Sequence, residues 1–168
     1  MAKRLFGRRT LYTDIAEITR ENVVGVIDSV MSDHLINKWD IEYLYNYYKG
    51  EQPILSRVKN IRPEINNIIV ENRANEIVSF KEGYLMGEPL QYVNRTGASE
   101  ATEAVNILNE YMFVEDKSPK DKELANWFFI SGTAYRMILP DKMAGELLDD
   151  APFEIYTLDP RETFIVYH

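Results

Sequence analysis

The chain has 168 residues, 45% hydrophobic, 27% charged and 12% aromatic, which suits a folded domain with its own core and excludes a disordered segment. It has no cysteine, which rules out a disulfide framework, a thiolate zinc site and a cysteine nucleophile and makes the cytosol the simplest compartment. The formal charge is −8; Lys3, Arg4, Arg8 and Arg9 carry +4, so the remainder carries −12 and is not expected to grip a nucleic-acid backbone by counterion release.

Residues 1–18 read as an N-terminal arm with little periodicity. The start, "MAKRLFGRR", is basic without an apolar h-region, so it is no secretory signal. No apolar run approaches the roughly 20 residues of a membrane helix. The basic start suits an arm touching phosphate or an acidic partner; an exposed, mobile terminus is the favoured reading. Thr19 to about Asn37 is helical in period, with Thr19 as cap and Val23, Val26, Ile27, Val30 and Met31 recurring on one side. A second helix is expected over Lys38–Lys49, with Tyr45 and Tyr48 inward, stopped by Gly50 in a left-handed conformation. Residues 50–64, with two prolines and several basic residues, form a connector.

Residues 65–85 carry the clearest amphipathic pattern, with Val70, Ala74, Ile77, Val78, Tyr84 and Leu85 on one stripe. Gly83 and Gly87 are expected to end this helix, and Pro89 to prevent its resumption. "LQYVNR", 90–95, alternates like a short strand. Ser99 is the expected N-cap of the next helix. Ser118-Pro119 reads as N-cap plus first-turn proline of another, with Asp121 as a capping acid and an apolar, buried end around Trp127, Phe128 and Ile130. After Gly132 the period becomes two, giving strands at 133–139, 153–158 and 163–167, the last two joined by a turn at Asp159-Pro160-Arg161. The chain stops at His168 directly after a strand, which reads as a cut.

Chemistry is sparse. His34 and His168 are the only histidines, which disfavours a histidine metal site or a catalytic triad, and His34 reads as a helix-surface residue. Asp141 followed by Glu154 resembles a metal-dependent nuclease pattern, but Ile155 and Tyr156 follow where an assisting lysine belongs. Asp149-Asp150 lacks the spacing of a calcium loop. Gly83 and Gly87 follow a helix instead of preceding one, so they sit at its negative end and do not cradle phosphate. No catalytic residue, metal ligand or cofactor is therefore expected.

Four segments together resemble a family. "YNYYKGEQPIL" (45–55), "NNIIVENRANEIVSFKEGYLMGEPLQY" (66–92), "SGTAYRMIL" (131–139) and "LDPRETFIVY" (158–167) resemble, in this order, the N-terminal half of siphophage-type portal proteins of tailed bacteriophages. The residues that carry the resemblance are Tyr47, Tyr48 and Gly50 at a helix end, Gly83, Tyr84, Gly87 and Pro89 after the long helix, Gly132 and Tyr135 at a strand start, and Pro160 in a turn.

The resemblance implies an α+β fold: N-terminal helices, one long amphipathic helix, further helices and a small, mostly antiparallel sheet. The elements divide the chain into an arm over 1–18, a helical lead-in and connector over 19–64 and an α+β region over 65–168; the resemblance implies that the last region is wing-like and truncated, with stem, clip, tunnel loop and crown following. It also implies a structural role in a homo-oligomeric ring of about a dozen subunits at the capsid vertex. Through that ring double-stranded DNA is packaged and ejected without sequence specificity, and to it terminase, scaffold or capsid and head–tail connector proteins attach. The alternatives are a stand-alone virion or adaptor interaction domain and a metal-dependent nuclease using Asp141, Glu154 and Asp159.

Overall fold

The computed structural model describes residues 7–95, 97–140 and 151–168, so Lys3, Arg4, Asp141, Gly145 and Asp149-Asp150 lie outside the described residues. The expected α+β fold is present: the described residues contain four α-helices, a short 3-10 turn and two small two-stranded sheets. The described residues fall into two compact units, one within Met1–Ile77 together with Pro160–His168, the other within Val78–Asp159.

The first unit is built on helix α1, Val23–Lys49. It is one continuous helix of 27 residues, where two helices meeting at Asn37–Lys38 are expected from the sequence. Nothing at Asn37 breaks the helix, because its amide serves another backbone. Its Nδ2 donates to the Arg9 carbonyl and its Oδ1 accepts the Arg9 N–H, both at 2.8 Å. Arg8 donates to the Asn37 carbonyl and the Gly7 N–H to Asp40, so the amide and carboxylate faces of α1 hold the chain segment before Leu11. Strand β1, Leu11–Tyr12, follows and pairs in parallel with β4, Val166–Tyr167. The segment expected to be a featureless arm therefore contains a strand, whose partner is 155 residues further along at Val166. Only Val166–Tyr167 of the expected strand 163–167 is strand, since its ladder is as short as β1. Val26, Val30, Ile41 and Leu11 form the apolar core of this unit, and Pro160 is fully buried beside them in the chain's return turn.

Helix α2, Arg73–Met86, is half the length of α1 and starts eight residues later than its apolar pattern predicts. Ile65, Ile68, Ile69 and Val70 are β-branched, and Asn66 and Asn67 compete for backbone hydrogen bonds, so this run stays extended. Asn72 supplies the start. Its Oδ1 accepts the Asn75 N–H at 3.2 Å, while its Nδ2 donates to the Tyr48 carbonyl at the end of α1. One side chain thus satisfies orphan groups of two helix ends.

The second unit contains α3, Ser99–Val114, and α4, Lys117–Ser131, with the antiparallel pair β2, Tyr135–Pro140, and β3, Phe153–Leu158. Ser99 is the first helical residue, and the cap position belongs to Ala98, which makes no side-chain cap. Ser118-Pro119 is likewise inside α4; Asp116, left-handed at φ 50°, is the residue before it. Pro119 is tolerated there because first-turn N–H groups have no intrahelical partner. Residues 90–95 are not a strand. The Tyr92 N–H and carbonyl pair at 3.1 and 3.0 Å with the side-chain amide of Asn109 on α3, so a side chain takes the place of a neighbouring strand. Asn37 and Asn109 are the same device used twice.

Candidate assembly surface

The residues singled out from the sequence mark chain turns and helix ends. Gly50 closes α1 at φ 87° and donates to the Tyr47 carbonyl, and Gly132 closes α4 at φ 73°. Both adopt a conformation that costs other residues about 1 kcal/mol. Tyr48 and Tyr45 are half-buried with rings 6.4 Å apart, and Tyr47 is exposed with its ring 5.9 Å from Tyr43. Arg161 lies over the Tyr45 ring at 4.7 Å and reaches Glu42, fastening the turn that contains Pro160. Tyr135 opens β2 opposite Leu158.

Gly83 does not end α2; the helix runs through it to Met86, and a Cβ there would meet open space. Gly87 is the terminator. A Cβ on it would sit 2.6 Å from the Gly83 carbonyl oxygen, so any other residue forces the chain exit to shift. Tyr84 is 79% exposed and stacks on Phe80 at 6.3 Å, so it does not pack inward as its stripe suggests. With Phe80, 73% exposed one turn before it, it leaves an apolar face on α2. The opposite face meets α4 through Asn126 donating to Glu82 and Lys81 over the Phe129 ring. Phe128 is also exposed, against the expectation that the end of α4 is buried on nearly all sides.

Pro89 leads into a groove of about 560 Å³ at the corner between α3 and α4. Leu90, Met112, Phe113 and Pro119 supply apolar lining, and Asp116, Lys117 and Asp121 polar lining. Asp121 is no capping acid. It is buried and accepts from Lys117 one turn before it and, at 2.6 Å, from Arg136 on β2. Burial by itself raises this carboxyl, but hydrogen bonds and charge from Lys117 and Arg136 outweigh it and hold it below the usual carboxylate range. Glu115 completes the corner by accepting the Ile155 N–H of β3 and Lys120.

His34 is a correction. It is buried at 5% exposure, with its ring 4.4 Å from Phe164, instead of lying on the helix surface. Burial, and then the Lys38 charge, push it below the usual imidazole range, against smaller opposing effects of Glu162 and the Arg161 backbone. It joins α1 to the return segment through Phe164 and the Arg161 backbone. The bracing roles of Asn37, Asn72 and Asn109 escaped the sequence reading, and Asp121, expected as a cap, is a buried ion-pair partner. The available signal was asparagine, a poor helix former, inside or just before strongly helical runs.

Glu154 accepts from the Tyr156 hydroxyl, and Asp141 lies outside the described residues. Among the described residues no three acids or histidines gather as a metal site, and no helix is long and apolar enough to cross a membrane. A family model described as phage portal protein, SPP1 Gp6-like, matches residues 27–168, from the second turn of α1 through every later element. No curated protein matches the chain at a significant level.

Proposed function

The chain belongs to the phage portal protein family, and from that membership we propose that it forms the wing part of the subunit that rings one capsid vertex. The family is structural and its members are parts of the bacteriophage capsid. The match over residues 27–168 is the observation that carries the proposal. In this reading residues 65–168 are the wing-like region, and about a dozen copies close the ring through contacts between unlike surfaces. Double-stranded DNA passes through during packaging and ejection, and terminase, scaffold or capsid and head–tail connector proteins dock on the ring. Assembly takes place in the bacterial cytoplasm. The subunit is no enzyme and carries no cofactor, and the motor supplies the hydrolysis.

The uncovered, stacked rings of Phe80 and Tyr84 support an assembled protein, because isolated soluble domains rarely leave such groups together in water. So does the acidic balance, since a conduit works poorly if it binds the polymer it passes. The test is an antibody against this chain applied to opened phage heads and viewed by electron microscopy. Label at a single vertex is expected. Label over the whole shell, or none, refutes the reading. Incubation with DNA and magnesium or manganese should leave the DNA intact; cleavage abolished by Asp141→Ala would establish an enzyme instead.

A further inference from the structure

Two surfaces of this chain are both apolar and carry opposite charge. The first is the non-helical segment 57–69, which turns at Arg62–Ile65, where Arg62 is left-handed at φ 53° and the Ile65 N–H donates to the Arg62 carbonyl. Val58 and Ile61 are 82% and 84% exposed, and Ile65 and Ile69 are exposed as well. The segment pairs with no strand among the described residues. Its internal ties are local, such as Lys59 Nζ donating to the Ile65 carbonyl and Asn66 donating to the Arg57 carbonyl. Arg57, Lys59 and Arg62 against Glu64 leave it at +2, inside a chain of −8. Exposed aliphatics interleaved with cations on a segment outside any helix or sheet are what a docking segment presents.

The second surface is the groove at the α3–α4 corner. Phe113 is 84% exposed at its edge beside Leu90 and Met112, so its apolar lining lies open to water. Its surroundings are acidic. Asp116 lines it, Glu110 lies on α3 next to the lining residue Asn109, Glu88 directly precedes the lining residue Pro89, and α3 carries no lysine or arginine. The one lysine lining it, Lys117, is spent on Asp121.

We propose that residues 57–69 of one copy dock in the groove between Pro89–Gln91 and the α3–α4 corner of a neighbouring copy. Such a contact joins two different surfaces, so it is heterologous, and repeated around an axis it closes a ring. Aliphatic side chains fill the groove, and Arg57, Lys59 and Arg62 meet the carboxylates around it, which fixes the direction of approach. The proposal rests on the ring reading above and names the contact within it.

Because the chain has no native cysteine, cross-linking tests the contact directly. The 168-residue chain is made as Ile61→Cys, as Phe113→Cys and, as a control on the other apolar face, Tyr84→Cys. All three sites are exposed, so the variants should fold. Mixing Ile61→Cys with Phe113→Cys under oxidation should give a heterodimer in clear excess over the mixture with Tyr84→Cys. Reversing Arg57, Lys59 and Arg62 to Glu should cut its yield about tenfold, and Glu88→Lys with Glu110→Lys in the acceptor should restore it. No excess heterodimer, although both thiols react with a soluble reagent, overturns the proposal; so does reversal without loss of yield. The native assembly's mass is measured separately. A ring without this cross-link removes the contact and keeps the portal reading, and a native monomer removes the ring itself.

Discussion

Asp121→Ala tests the reasoning about the α3–α4 corner most severely. The Asp121 side chain is 10% exposed and is shared by Lys117, 12% exposed, and Arg136, 20% exposed. Truncation leaves two largely buried cations without their carboxylate, and two further Arg136 nitrogens already lie buried without a protein partner. Stranding a buried charge costs about 3–5 kcal/mol; the residual exposure of Arg136 places this case near ~3 kcal/mol. At a urea slope of about 2 kcal/mol per molar, the midpoint should fall by about 1.5 M. Trp127 on α4 reports this unit once Trp39 is replaced by Phe, so urea titration by fluorescence is the assay. Asp121→Ala with Arg136→Met should regain about half the loss, since it removes one stranded cation. The folded-state carboxyl is depressed. Its stabilisation is therefore complete above the unfolded value near ~3.9 and is lost as pH falls through the lower folded value. The gap between wild type and Asp121→Ala should narrow below that pH. A loss under about 0.5 kcal/mol, the size of an ordinary surface substitution, or a double variant no better than Asp121→Ala, refutes the account.

His34 binds protons less readily folded than unfolded, so the first unit should lose stability as pH falls below the unfolded value of about 6.5. Trp39 fluorescence in Trp127→Phe follows this, and His34→Phe should flatten the slope between pH 7 and 5. Gly83→Ala should stabilise α2 by about 0.5–1 kcal/mol as a helix-interior exchange into open space, whereas Gly87→Ala should destabilise by a similar amount or more through the close Gly83 carbonyl. Opposite shifts in thermal midpoint check this pair; equal shifts contradict it. Asn109→Ala removes both exposed hydrogen bonds to the Tyr92 backbone and should cost about 0.5–1 kcal/mol, with faster amide exchange at Tyr92 as its marker. Unchanged exchange there would show that water replaces the amide without loss.

Helix existence was legible because it depends on local spacing. The stripe through Val26 and Val30, the stop at Gly50 and the strand 153–158 are all visible in the pattern, and they exist as read. Boundaries were less legible wherever a side chain from elsewhere satisfied the backbone. Asn37 looked like a helix end and is a bracket for Arg9. Tyr92 looked like a strand residue, but its partner is the Asn109 amide. The apolar pattern through 65–72 looked helical, yet β-branched residues keep it extended until Asn72 caps α2. His34 looked exposed because helical phase alone does not show that Phe164 covers it.

By itself, then, the sequence determined the α+β class, the helix stop at Gly50, the change to strand period after Gly132, and the ordered motifs that resemble portal proteins. These follow from backbone freedom and from apolar period, which are properties of neighbouring residues. Tertiary structure alone decided the parallel pairing of Leu11 with Val166, the burial of His34, the sharing of Asp121 between α4 and β2, and the groove beside Phe113. Each of these joins residues distant in the chain, and their energies depend on desolvation and on partners that no local window contains.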